Sequence, residues 1–204
     1  MELATIFGVM AALLHGTSYF LYNLQAKSGK STPNIASWGI WVFLAALNAF
    51  SFREMSGNTV LALQFFTGSG ACALTFLYVL SIGKFARPKP REAVVLALGL
   101  FSAAVWWIFR SAAGANMIVL LALIISFFPT WEGVWRDPYK ETPLTWVLWT
   151  AAYGFTIIAV IIKHGQLLSF FTPVACLIMH GAVAILSTEK RKTRFRLKPG
   201  RAEA

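Results

Sequence analysis

The stretch Phe65-Phe66-Thr67-Gly68-Ser69-Gly70-Ala71-Cys72 (FFTGSGAC, 65–72) returns about a hundred residues later as FFTPVAC, 170–176. The likeness extends backwards from both copies. SWGIW (Ser37 to Trp41) corresponds to TWVLW (Thr145 to Trp149), and each is preceded by Thr-Pro, Thr32-Pro33 in one case and Thr142-Pro143 in the other. Thr-Pro, a hydroxyl residue, Trp-x-x-Trp, Phe-Phe-Thr and Ala-Cys therefore occur twice in the same order at a nearly constant offset of about 105 residues. That order marks an internal repeat.

The setting of the repeat is membrane-like. The chain of 204 residues is 57% hydrophobic and 13% charged, with a mean hydropathy of +0.64; a soluble domain carries about 25% charge. The charges separate apolar runs of the length that crosses a bilayer as a helix. Seven spans are expected, at 4–23, 36–52, 59–82, 92–109, 114–130, 143–162 and 166–187. The expected class is an all-α polytopic membrane protein whose immediate partner is the lipid bilayer. The opening MELATIFGVM has no basic n-region and no small-residue cleavage site, so a cleaved leader is not expected.

The repeated phrases fall in spans 2–3 and 6–7. Spans 1–3 and 5–7 thus form two three-helix units, 1–83 and 114–187, with a linker helix within 84–113 and a basic tail at 188–204. Three crossings reverse the chain, and one extra crossing restores its direction, so the two units are expected to be parallel repeats about an axis along the membrane normal. With the N-terminus outside, all of the 18 basic residues except Arg53, Arg110 and Lys163 fall on the cytoplasmic side: Lys27 and Lys30; Lys84, Arg87, Lys89 and Arg91; Arg136 and Lys140; and the tail from Lys190 to Arg201. This asymmetry predicts a cytoplasmic C-terminus and accounts for the net charge of +10 without nucleic acid. The expected location is a bacterial inner (plasma) membrane. The tail either sets topology or also meets anionic lipid headgroups.

A 3+1+3 plan with the N-terminus outside and a proline at a cytoplasmic helix corner resembles the PQ-loop and SWEET-type membrane proteins. The second unit carries the better match: FFPTWEGVWRDPYKETPLTWVLW (Phe127 to Trp149) has Pro129-Thr130 where that family has Pro-Gln. The first unit keeps KSTPNIASWGIW but has no Pro-Gln. The resemblance implies a carrier or a related receptor of seven helices, with a path between the two units. Sugar-carrying members place a tryptophan deep in helices 2 and 6; here the deeper positions hold Asn48 and Thr156. Vitamin carriers share the architecture, so the plan does not choose a solute.

Polar side chains inside a bilayer usually face a bundle interior or a wet cavity. Gln64, Thr67, Gly68, Ala71, Thr75 and Tyr78 share one helical face, and Ser169, Thr172, Pro173, Cys176 and His180 share another. Span 1 adds Gly8, Ala12, His15 and Tyr22; span 2 adds Ser37, Trp41 and Asn48; span 6 adds Thr145, Trp149, Tyr153 and Thr156. Convergence of these stripes predicts a solute site lined by His15, Asn48, Thr67, Tyr153, Thr156, Thr172 and His180. Small and hydroxyl residues also let helices pack closely, and that reading stays open for Thr67, Thr172, Gly68 and Ala71. His15 and His180 either titrate or hydrogen-bond as neutral rings. Pro129 removes a helical hydrogen bond and is the expected cytoplasmic hinge, where span 5 should bend or end. Pro173, with Gly68 as its counterpart, is the expected hinge near mid-membrane.

Catalysis is not expected. No span has Asp or Glu away from its ends, and no phosphate loop, dinucleotide fingerprint or zincin string occurs. Cys72 and Cys176 read as small packing groups, with no metal site and no cofactor. Three function classes are weighed: first a carrier or facilitator for a small polar solute, sugar-like or vitamin-like; second a non-transporting membrane receptor, sorting factor or accessory subunit; and last an intramembrane enzyme, for which no catalytic constellation is visible. Self-association and a membrane-complex partner both stay open.

Overall fold

A computed structural model describes residues 2–29, 35–81 and 90–188. Thr32-Pro33, Lys30, the basic cluster at 84, 87 and 89, and the tail from 189 onward lie outside the described residues, as does the side chain of Ser37. The described chain is all-α. Seven long helices follow one another: α1 (Leu3–Lys27), α2 (Ile35–Ser56), α3 (Thr59–Ser81), α4 (Pro90–Phe109), α5 (Ala112–Arg136), α6 (Pro143–Ile162) and α7 (Leu168–Leu186). Six of them, all but α2, are long and apolar enough to cross a membrane. The protein is a helical membrane protein.

Local chemistry sets the ends. Gly57 takes φ +63 after α2, and Asn58 Oδ1 then accepts from the N–H groups of Val60 and Leu61 at 2.9 and 3.3 Å. Two residues therefore suffice to turn α2 into α3, with Asn58 satisfying two of the orphan donors of α3. Ser111 does the same for α5, its hydroxyl accepting from Gly114 N at 3.1 Å. Asp137 accepts from Tyr139 N at 3.0 Å over a single 3-10 turn, Pro138–Lys140. Pro143 opens α6, where its missing N–H costs nothing.

The expected end or bend of span 5 at Pro129 is not an end: α5 runs on to Arg136. The extra turns are held from outside the backbone. Trp131 Nε1 donates to the carbonyl of Met179 on α7 at 3.1 Å, and Arg136 pairs with Glu132 at 2.7 Å. α7 likewise continues through Pro173.

Side-chain burial is sorted as a bilayer requires. Leu13, Leu74, Phe101, Ile108, Ile178 and Ile185 are exposed, while His15, Asn48, Gln64, Asn116, Thr156 and Thr172 are buried. α3 packs between α1 and α2, and α7 packs between α5 and α6. α1 lies against α6, α2 lies against α5, and lighter contacts join α3 to α6 and α2 to α7. α4 packs outside, on α5 and α2. Glycine permits the tightest approaches: a Cβ on Gly8 would sit 2.8 Å from the carbonyl oxygen of Val60, and one on Gly99 would sit 2.8 Å from Leu44.

Candidate functional site

A cavity of about 920 Å³ enters the bundle from the end where α1, α3 and α5 finish and α2, α4 and α6 begin. Its mouth carries Arg91, Glu92, Glu132, Arg136, Lys140 and Glu141. Arg91 and Glu132 approach to 4.0 Å, bringing α4 to α5 across one side of the mouth. Farther in, the walls become aromatic: Tyr19 and Tyr22 from α1, Trp38 and Trp41 from α2, Phe127 from α5, and Trp146 and Trp149 from α6. His15, Asn48, Phe65 and Tyr153 line the deep end, and His180 sits among the aromatic rings, 4.9 Å from Phe127 and 5.5 Å from Trp146. Among the described residues, none of the first turns of α1 and none of the last turn of α6 reaches the wall.

The opposite end is closed by packing. Gly8 lies against Val60, Phe7 meets Phe155 with ring centroids 5.7 Å apart, and Lys163 pairs with Glu2. The Lys163 ammonium, by hydrogen bond and then by charge, holds the Glu2 carboxyl below its ordinary value. Trp106 Nε1 ties α4 to α2 through Glu54 Oε2 at 2.9 Å.

Two buried polar knots stand at the deep level. In the first, the Thr156 hydroxyl of α6 donates to Gln64 Oε1 of α3, and Gln64 Nε2 lies 2.8 Å from His15 Nδ1 of α1. In the second, the Thr172 hydroxyl of α7 donates to Asn116 Oδ1 of α5 at 2.8 Å. Asn116 Nδ2 then donates to Asn48 Oδ1 of α2 at 2.9 Å and to Ser51 Oγ at 3.0 Å. Each knot joins three helices and satisfies groups that hydrocarbon would leave unpaired.

The seven expected site residues divide. His15, Asn48, Tyr153 and His180 line the cavity together. Thr156 and Thr172 lie behind the wall, each spending its hydroxyl within a knot. Thr67 bonds back to the carbonyl of Leu63 at 3.0 Å and is the neighbour of Gly16 on α1, which is the close-packing role. Of the expected hinge residues, Pro129 and Gly68 line the cavity, whereas Pro173 is buried within α7. The space beside Gly68 is taken by His15: a Cβ there would sit 2.6 Å from His15 Nε2.

Sequence reasoning passed over Asn116 altogether and left Gln64 out of the site. The available signal for Asn116 was a lone amide in the apolar run AAGANMIVLLALII. The aromatic wall was also undervalued. Trp149 lies 5.1 Å from Tyr19, 5.9 Å from Tyr22, 5.6 Å from His180 and 6.4 Å from His15 between ring centroids. Such edge-on and tilted contacts hold the rings as a stiff lining. Cys72 and Cys176 line the same wall as free, buried thiols, and no group of three metal-binding side chains occurs among the described residues. No protein-family model, curated protein or solved structure matches the chain.

Proposed function

We propose that this protein is a carrier or facilitator for a small polar solute, working by alternating access between two three-helix units. The observation that carries the reading is the cavity: it enters from one end, reaches buried polar and aromatic groups in the middle of the bundle, and meets close packing beyond them. A site at mid-depth between two halves, open to one side at a time, is what such a carrier needs.

The repeat plan belongs to the same proposal. Exchanging α1 with α5, α2 with α6 and α3 with α7 turns α1 on α6 into α5 on α2, and α3 on α1 into α7 on α5. It also sends the helices of one polar knot, α1, α3 and α6, onto those of the other, α5, α7 and α2. This correspondence supports a 3+1+3 arrangement with α4 as the linker, and with it the PQ-loop-like and SWEET-like plan. The concentration of Lys and Arg at the cavity end supports a cytoplasmic mouth, which makes this conformation inward-open.

Counterflow in proteoliposomes, with a panel of radiolabelled sugars, vitamins and amino acids, tests the proposal. Exchange of at least one solute is expected. A correctly folded protein that binds a solute yet exchanges none across the panel is the receptor-like alternative, and that result rejects transport.

A further inference from the structure

Two histidines line the cavity, and their neighbours fix them differently. Gln64 Oε1 accepts the Thr156 hydroxyl, which turns the amide nitrogen of Gln64 toward His15 Nδ1 at 2.8 Å. An amide nitrogen only donates, so His15 Nδ1 accepts and the neutral ring carries its hydrogen on Nε2. His180 Nδ1 lies 2.7 Å from the carbonyl oxygen of Cys176. A carbonyl only accepts, so here Nδ1 carries the hydrogen and Nε2 keeps a lone pair. One histidine thus offers a donor and the other an acceptor. Neither Nε2 has a hydrogen-bond partner among the described residues.

Trp149 neighbours both rings, and its indole N–H is buried with no acceptor although the side chain lines the cavity. Tyr153 also touches both histidines, at 5.4 and 5.0 Å. Among the described residues, the charged ones that line the cavity all come from the mouth segments, 91–92 and 132–141. An anionic group at this depth would find no cation and would face the His180 lone pair; a cation would find no carboxylate.

We propose that His15, Trp149 and His180 form a recognition site for the cis-amide (lactam) edge of an uncharged, planar heterocycle. The ligand carbonyl oxygen accepts from His15 Nε2–H, beside the Trp149 ring that neighbours both histidines. The adjacent ring N–H donates to His180 Nε2, and the ring face packs against the aromatic wall. This names a substrate class for the cavity and rests on the cavity being the solute site. A bare sugar ring offers hydroxyls but neither a flat π face nor a paired carbonyl and N–H on one edge.

The test has two parts, both on the full chain in nanodiscs. The chain has three histidines, so His164→Asn leaves His15 and His180; Asn suits the positive φ of 49 at that loop position. In ¹⁵N-histidine-labelled H164N at neutral pH, NMR is expected to show one ring protonated at Nε2 and the other at Nδ1. Two rings in the same form, as a reversed Gln64 amide would give, or a charged ring, overturns the proposal. Binding is then read by tryptophan fluorescence with 2-pyridone, N-methyl-2-pyridone and glucose. Loss of the N–H on methylation should weaken binding at least tenfold, and His180→Phe should remove that difference. Absent binding of 2-pyridone, equal binding of the two pyridones, or tighter binding of glucose rejects the site. Binding of 2-pyridone without any solute exchange rejects the carrier reading and leaves this one standing.

Discussion

Gly68→Ala is the sharpest single perturbation of the site. A methyl group at that position would sit 2.6 Å from His15 Nε2 and 2.9 Å from its Cδ2, well inside van der Waals contact. His15 is 4% exposed and is boxed by Tyr19 and Tyr153, each with its ring centroid 5.4 Å away. The imidazole therefore has to move, and moving it pulls Nδ1 off Gln64. Overpacking of this kind costs about 1–3 kcal/mol, and the lost hydrogen bond adds about 0.5–1.5 kcal/mol. Alanine recovers up to about 1 kcal/mol of helix propensity, leaving a net loss of about 2 kcal/mol. Gly70→Ala is the matched control, two residues away on the same helix with nothing within 4 Å of an added Cβ; it should be neutral or slightly stabilising. Equilibrium unfolding in mixed micelles, followed by tryptophan fluorescence, compares the two. If G68A unfolds at the same point as G70A, His15 is not held where the packing argument puts it, and the reasoning about the deep site fails.

Other outcomes follow from the same contacts. Gln64→Leu should lower stability by about 1–3 kcal/mol, because it orphans both His15 Nδ1 and the Thr156 hydroxyl; an unchanged unfolding curve would contradict the first knot. A double-mutant cycle between Asn116→Ala and Thr172→Ala should give a coupling of about 0.6–1.7 kcal/mol, and additivity would show that the 2.8 Å contact contributes nothing. Glu2 has a folded-state pKa below its ordinary value, so its stabilisation is present above the ordinary carboxylate range and is lost as pH falls through the depressed value. Glu2→Gln should therefore flatten the acid limb of stability, and high salt should do the same to the wild-type protein. Pro129→Ala restores a backbone donor within α5 and should slow interconversion between inward-open and outward-open forms, read from spin-label distances across the mouth; unchanged exchange in a folded variant rejects the hinge.

How far the sequence carried depended on the kind of information. Helix positions follow from apolar length and charge segregation, which are properties of the chain alone, so the expected spans and α1 to α7 overlap closely. Helix ends followed less well: α5 passes Pro129 because Trp131 reaches Met179 on another helix, a contact no local rule contains. His15, Asn48, Tyr153 and His180, which the polar stripes group together, line one cavity. The stripes could not separate a hydroxyl that faces the cavity from one that faces the next helix. Thr156 and Thr172 share the periodicity of the lining residues yet turn their hydroxyls to Gln64 and Asn116. Asn116 itself had no periodic partners on α5, so a search for stripes could not find it. The choice between ligand and neighbour is made by helix rotation, which amphipathic periodicity resolves only coarsely in a chain whose outer surface is apolar as well.

The two polar knots have a mechanical meaning. Each fastens three helices: α6 to α1 and α3 in one knot, and α2 to α5 and α7 in the other. In the proposed two-unit carrier, two such fastenings would resist sliding of the units along the membrane normal and would leave rotation about the line that joins them. That line would be the cheapest axle for the proposed rocking motion, since a swing about it would stretch neither set of hydrogen bonds. In the proposed carrier the charged mouth would lie at one end of a lever, and the Phe7–Phe155 contact with the Glu2–Lys163 pair at the other. Leverage, more than bond strength, would decide which end yields: the ion pair between Glu2 and Lys163, at the surface, can open while the buried amides of the knots stay joined.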